Sequence, residues 1–370
     1  MVLNETTYFG RGSRIKITDE LLDKHIYKPL VITDKVLLDN GIVDMVLKCI
    51  TNENIEVLVY SDVVPNPTVK QIKEALMFAN VNKVDGIIAI GGGSVIDTAK
   101  AVGLVMNNLE FADIISLEGN YKTNNKSLPI ITFPTTSTSS SEVTINYIIK
   151  DPIKSRKIIC IDNHNIPITT IIDADLYDFL PSNKFAVSGI CSISHAIEGY
   201  INKKGWLIPD IFNMNAISLI YKNIYSACIK HDKSSIEKVA YGSYLAGMGF
   251  SNVGLGLTHV LSNVISAFYD VSYASVSSIV LIEVLEYNYK ICPELFNNIS
   301  KSINNNDSNL IDILKDLINK LNIPTKLREL GIVLDNFESI ADEVIKDNNL
   351  SLNPRDVTKD DIINILKQVY

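Results

Sequence analysis

The sequence predicts an α/β amino-terminal region built on a parallel, Rossmann-like sheet, followed by an all-helical carboxyl-terminal region. Up to about residue 180, short apolar runs alternate with segments of helical spacing. One of these runs, Gly86 to Ile90, leads straight into Gly91-Gly92-Gly93 and a further helical segment. Beyond residue 180 the strand signals stop and helix signals follow one another to the end. The two regions are read as domains, 1–180 and 181–370.

In chain order, the opening MVLNETTYFGRG fits a strand and turn, and Lys28 to Thr33 a strand ending at Asp34. Val36 to Ile50 reads as a helix interrupted at Gly41, Ile55 to Tyr60 as a strand, and Thr68 to Asn80 as a helix with a polar face. After the glycines, Leu128 to Phe133 is a further strand, Ile145 to Cys160 a hairpin turning near Asp151-Pro152, and Thr169 to Asp173 the last strand. Helices are then expected over 183–201, 209–230, 234–250, 255–268 and 274–288, with shorter ones after an asparagine-rich surface loop at 303–309.

At 370 residues, with 46% hydrophobic and 21% charged residues, the chain has the composition of a soluble globular protein of two domains. A net charge of −8 without a basic stripe excludes a nucleic-acid partner. The five scattered cysteines form no C-x-x-C pair, which fits a reducing cytoplasm. No apolar run reaches the length of a membrane span, so no membrane partner is expected.

The triple glycine is the most informative turn. Without Cβ atoms, Gly91, Gly92 and Gly93 let backbone N–H groups approach a ligand, and the helix that follows presents unpaired N–H groups at its positive end. That arrangement seats a phosphate, although a purely structural strand-to-helix turn would use the same residues. Ser94 and Asp97 stand at the S-x-x-D spacing of a helix start. Asp34, at the end of a parallel strand, fits a ribose hydroxyl acceptor or a solvated turn residue equally. Between Pro134 and Thr144, eight of eleven side chains are hydroxyls. Flanked by apolar strands, they read as an ordered loop contacting a cofactor rather than a linker.

Four motifs in order, GGGSVIDTAK, FPTTSTSSSEVT, SHAIEGYI and AGMGFSNVGLGLTH, resemble the iron-dependent (group III) alcohol dehydrogenases. The resemblance runs from LNETTYFGRG near the start to NPRDVT at 353–358, so it covers essentially the whole chain. It implies a dehydroquinate synthase-like architecture, with NAD(H) and a divalent metal in the cleft between the domains. The activity it implies interconverts a small aldehyde and its alcohol, of the lactaldehyde and 1,2-propanediol kind, in a cytoplasmic homodimer. It assigns Gly91, Gly92, Gly93, Ser94, Asp97, Thr135, Thr136 and Ser139 to the cofactor, with Asp34 facing the adenine ribose. Asn146 and Phe250 are expected near the substrate.

The metal motifs depart from the family. Where the family has D-A-L-x-H-A-I-E, the chain has Cys191-Ser-Ile-Ser-His195-Ala-Ile-Glu198. His259 stands at the third ligand position, Tyr273 replaces the fourth ligand fourteen residues on, and Asn263 replaces a further histidine near the nicotinamide. Thr138 stands where the family has a glycine, and its side chain would crowd the cofactor. Cys191 and His195, at i and i+4, share a helix face and with His259 form a zinc-like set. Alternatively, Cys191 fills a small apolar hole and the histidines are idle. Tyr273 is a poor ligand but a possible proton donor to the substrate oxygen. Two functions follow: an oxidoreductase whose centre uses iron, zinc or neither, or a silent NAD-binding homologue with a scaffolding or regulatory role.

Overall fold

A computed structural model describes residues 1–120, 122–151, 156–303, 309–333 and 336–370. The chain divides into two compact units, Met1–Phe179 and Leu180–Tyr370.

Among its described residues unit 1 contains nine strands: β1 (Thr6–Phe9), β2 (Pro29–Ile32), β3 (Leu58–Tyr60), β4 (Gly86–Gly91), β5 (Gly119–Asn120), β6 (Ile130–Pro134), β7 (Asn146–Asp151), β8 (Arg156–Ile161) and β9 (Thr169–Ile172). Its α-helices are α1 (Ile17–Asp23), α2 (Lys35–Asp39), α3 (Ile42–Leu47), α4 (Val69–Asn82) and α5 (Gly93–Met106). Six strands form one wholly parallel sheet in the order β1-β9-β6-β4-β2-β3. Because side chains alternate along a strand, β4 feeds two cores. Ile87 and Ala89 pack with Ile72, Ala75, Ala99 and Val102 of α4 and α5, whereas Ile88 and Ile90 pack with Ile17, Leu21, Val43 and Val46 of α1 and α3. Helices on both faces explain why β4 reads as an unbroken apolar run.

The sequence order doubles back between β2 and β4. From β2 the chain moves outward to β3, and from β4 it moves the other way to β6. Such a reversal opens a crevice at the carboxyl ends of the two strands, where ligands of open α/β sheets bind. Asp34 follows β2 there, and Gly92 and Gly93 follow β4.

Local differences from the sequence reading have local causes. The helix expected over 36–50 is two, because Gly41 takes a left-handed φ of 75° between α2 and α3. β7 and β8 pair antiparallel and join β5 in a second, three-stranded sheet that periodicity did not reveal, since β5 is only two residues long. The hairpin turn expected near Asp151-Pro152 falls largely on 152–155, outside the described residues.

Unit 2 is helical: α6 (Ser182–Tyr200), α7 (Leu207–Lys230), α8 (Lys233–Phe250), α9 (Leu257–Tyr269), α10 (Tyr273–Tyr289), α11 (Pro293–Ile303), α12 (Leu310–Lys320), α13 (Phe337–Val344) and α14 (Lys359–Val369). Leu257, Val260, Leu261 and Ile265 of α9 pack with Val276, Val280 and Val284 of α10 and with Ile362 and Leu366 of α14. Helix α11 precedes the asparagine-rich stretch and was not expected. It buries Phe296, Ile299, Ser300 and Ile303, an i, i+3, i+4, i+7 stripe of an amphipathic helix that the sequence reading passed over. The surface loop expected at 303–309 falls mainly on residues outside the described set. No helix among the described residues is long and apolar enough to cross a membrane.

Candidate active site

Unit 1 brings the glycine turn and the hydroxyl loop together. Gly91 pairs with Pro134 at the end of the ladder, and Thr135 N–H donates to Gly91 O at 3.2 Å. A Cβ on Gly92 would lie 2.9 Å from Thr136 Oγ1, and one on Gly93 would lie 2.3 Å from Ser139 Oγ. A side chain at either position would displace the hydroxyl facing it. The hydroxyls are ordered by one another: Ser139 to Ser141 at 3.0 Å and Thr136 to Thr138 at 3.2 Å. Thr138 is thus tied back to its own loop.

Helix α5 starts at Gly93 with Gly92 as its N-cap, and no side chain caps its first turn. Ser94 is inside the helix and Asp97 turns inward, accepting Ile148 N–H at 3.1 Å, so the S-x-x-D spacing does not cap this helix. The backbone N–H groups of the first turn are left without a capping side chain, the geometry that receives a phosphate. Asp34 N-caps α2, its Oδ1 accepting from Leu37 N at 2.9 Å. Asn146 opens β7, and its carbonyl accepts from Lys100 Nζ at 2.9 Å.

Beneath the turn lies a buried group that the sequence reading passed over. Lys100 Nζ donates to Thr144 O at 2.7 Å and to Thr144 Oγ1 at 3.0 Å. Burial lowers Lys100 to about 8 and raises Asp97 to about 6 and Glu142 to about 7, against their mutual attraction. The available signal was that Asp97 and Lys100 are the only charges in α5, whose residues from Val95 to Val105 are all buried.

In unit 2, His195 of α6, His259 of α9 and Tyr273 at the start of α10 converge. Tyr273 Oη is 2.8 Å from His195 Nε2 and 2.7 Å from His259 Nδ1. Asn263 Nδ2 lies 2.9 Å from His259 Nε2. With that amide donating, His259 carries its proton on Nδ1 and donates to Tyr273, which donates in turn to His195 Nε2. Cys191, fully buried, has Sγ 3.9 Å from His195 Nε2, and the Phe250 ring packs 5.0 Å from that imidazole. Desolvation, with the nearby Cys191 and Glu198, pushes the Tyr273 phenol well above its usual 10.

The description "Iron-containing alcohol dehydrogenase" matches residues 4–174, and "Fe-containing alcohol dehydrogenase family, C-terminal" matches residues 185–370. The chain belongs to the iron-containing alcohol dehydrogenase family. Lactaldehyde reductase of Escherichia coli K12 is 38% identical, covering 99% of this chain and 98% of its own. The NAD-dependent methanol dehydrogenase of Bacillus methanolicus is 29% identical, covering 97% of this chain and 96% of its own. The crystal structure of a 1,3-propanediol oxidoreductase superposes with a TM-score of 0.95 at 28% identity, covering 100% of this chain and 99% of that one.

Against the family's iron, the donors here do not fit. A phenol, ordinarily protonated at neutral pH, and a thiol stand at two of the four expected ligand positions, which leaves two imidazoles, His195 and His259, that face the phenol oxygen. Among the described residues, no group of three or more His, Cys, Asp and Glu side chains is arranged to hold a metal ion. Cys191 Sγ and the phenol both face His195 Nε2, and the phenol oxygen stands at the point where His195 and His259 converge. The nucleotide turn, by contrast, suits a pyrophosphate: an uncapped helix start with no Cβ at either Gly92 or Gly93.

Proposed function

We propose that the protein is an NAD(H)-dependent oxidoreductase that interconverts a small aldehyde and its alcohol, of the lactaldehyde and 1,2-propanediol kind. The observation that carries this reading is Tyr273 Oη, held at 2.8 and 2.7 Å by two imidazoles at positions where the family carries its metal ligands. Gly91, Gly92, Gly93 and Ser94 receive the pyrophosphate, Thr135, Thr136, Ser139 and Asp97 line the cofactor, and Asp34 accepts from the adenine ribose. The activities of lactaldehyde reductase and the NAD-dependent methanol dehydrogenase support a nicotinamide cofactor and small alcohol substrates. The reading includes a cytoplasmic homodimer, in keeping with the family resemblance and with five cysteines of which none is in a disulfide.

Bound NADH supplies a hydride to the carbonyl carbon. Tyr273 gives its proton to the carbonyl oxygen as that oxygen takes up charge, so a neutral alcohol leaves. Before that transfer the substrate oxygen replaces His195 Nε2 as acceptor of the phenol's hydrogen bond; after it, His259 Nδ1–H donates to the phenolate, and a proton from solvent restores the phenol. Desolvation keeps the phenol protonated at neutral pH, so the donor form is the one present when the aldehyde binds. Phe250, against His195, shapes the substrate's surroundings, and Asn263 fixes the His259 tautomer. No metal enters these steps.

The test is calorimetric titration with NADH beside turnover of lactaldehyde and 1,2-propanediol. The reading expects binding and aldehyde reduction. Binding without turnover of either substrate would favour the silent homologue.

A further inference from the structure

We propose that Glu198 is a positioning residue, which sets His259 against His195 by capping the helix that carries His259. The proposal rests on the reading of Tyr273 and its two histidines given above. Helix α9 begins after Gly256, which has no side chain to cap it. An α-helix start leaves its first N–H groups without intrahelical partners, and buried ones must be satisfied from elsewhere. Here Glu198 Oε2 accepts from Gly256 N at 3.0 Å and His259 N at 3.2 Å, and Oε1 accepts from Thr258 N at 2.6 Å. The remaining group, Leu257 N, donates to Asn353 Oδ1 at 3.3 Å. A Cβ on Gly256 would lie 2.9 Å from Asn353 Oδ1 and 3.2 Å from Glu198 Oε1, so the fit leaves no slack.

Glu198 stands three residues after His195 on α6 and is 2% exposed. One buried carboxylate therefore links the helix of one histidine directly to the backbone of the other. Its charge suits the positive end of α9, and the three N–H groups offset the desolvation that raises its pKa. Replacing the carboxylate with an amide leaves one acceptor oxygen and turns an NH2 group toward backbone N–H donors, so the start of α9 must shift. A displacement of even 1 Å at a reacting group costs roughly a hundredfold in rate.

The test compares the full-length wild type with Glu198→Gln and with Glu198→Asp, which keeps the charge on a shorter arm. The chain has five histidines, so a spectrum of selectively 15N-labelled histidine resolves individual imidazoles. Expected are a shifted His259 resonance, a kcat for aldehyde reduction lower by roughly tenfold to a hundredfold per folded molecule, and an unchanged KM for NADH. Aspartate should give a smaller loss than glutamine, and it serves if the amide variant does not fold. An unchanged His259 resonance with unchanged kcat, alongside only a lower melting temperature, would overturn the proposal. If the wild type itself turns over no aldehyde, the functional reading fails, and the histidine spectra still decide the positioning role.

Discussion

Tyr273 meets His195 through a hydrogen bond of 2.8 Å from Oη to Nε2, and stands where the family's fourth iron ligand is expected. Cys191, Asn263 and Tyr273, the three departures from the family motif, all lie within hydrogen-bond or sulfur-contact reach of His195 or His259. The helices that would carry an iron centre therefore still converge. The combined change Cys191→Asp, Asn263→His and Tyr273→His should create iron binding, measured as metal per chain by elemental analysis. Each change alone should do little, because ligands act as a set. A triple variant that folds but recovers no iron would show that the backbone has also drifted.

The cofactor seat can be closed from within. Valine at Gly92 would drive its side chain against Thr136, only 2.9 Å from where Cβ must stand. NADH affinity should fall by about tenfold or more, which is about 1.4 kcal/mol, while overpacking costs about 1–3 kcal/mol of stability. Titration and thermal melting separate the two. Unaltered affinity would mean that the turn serves the fold alone.

Stability should carry the signature of the buried charges under that turn. Asp97 and Glu142 have folded values of about 6 and about 7, above their ordinary 3.8 and 4.5. From about pH 4 to about 7 the folded state holds more protons than the unfolded one, so this contribution declines as pH rises. Lys100, lowered from 10.5 to about 8, acts in the opposite sense. Its contribution is lost as pH falls through about 8. Relative to the wild type, Glu142→Gln should gain stability as pH is raised through about 7, read from urea midpoints. Parallel pH profiles for the two proteins would contradict this.

Most of the fold was legible because its strands and helices keep strict periods. β4 is apolar along its whole length since both of its faces are covered, and the helices from α6 to α10 carry unambiguous stripes or buried runs. What escaped was β5, only two residues long, and α11, whose apolar stripe was passed over, whereas the interruption at Gly41 was read from the sequence. At the site, the chain order of motifs was readable, whereas the hydrogen-bond partners were not. Nothing in the spacing from His259 to Tyr273 says that the phenol lies between two imidazoles, since that depends on how α6, α9 and α10 pack. Glu198 was visible only as the last letter of a motif, because its partners are backbone groups of a distant helix.

Asp34 gives a prediction about cofactor choice. Its Oδ1 caps α2, and its other oxygen would repel a 2′-phosphate at the same distance at which it accepts from a hydroxyl. NADH should bind more tightly than NADPH. Asp34→Ala should narrow that difference while costing about 1 kcal/mol of stability through the lost cap. Equal affinities in the wild type would mean that this carboxylate serves only as a cap.

The central claim is that Tyr273 takes the place of a metal, and one assay tests it most directly. NADH oxidation with lactaldehyde is followed for chelator-treated wild type and for Tyr273→Phe, each before and after ferrous iron or zinc is added. Turnover of the wild type that survives the chelator, gains nothing from either metal and falls about 100-fold or more in Tyr273→Phe is the expected result. Turnover that disappears with the chelator and returns with iron or zinc would contradict it.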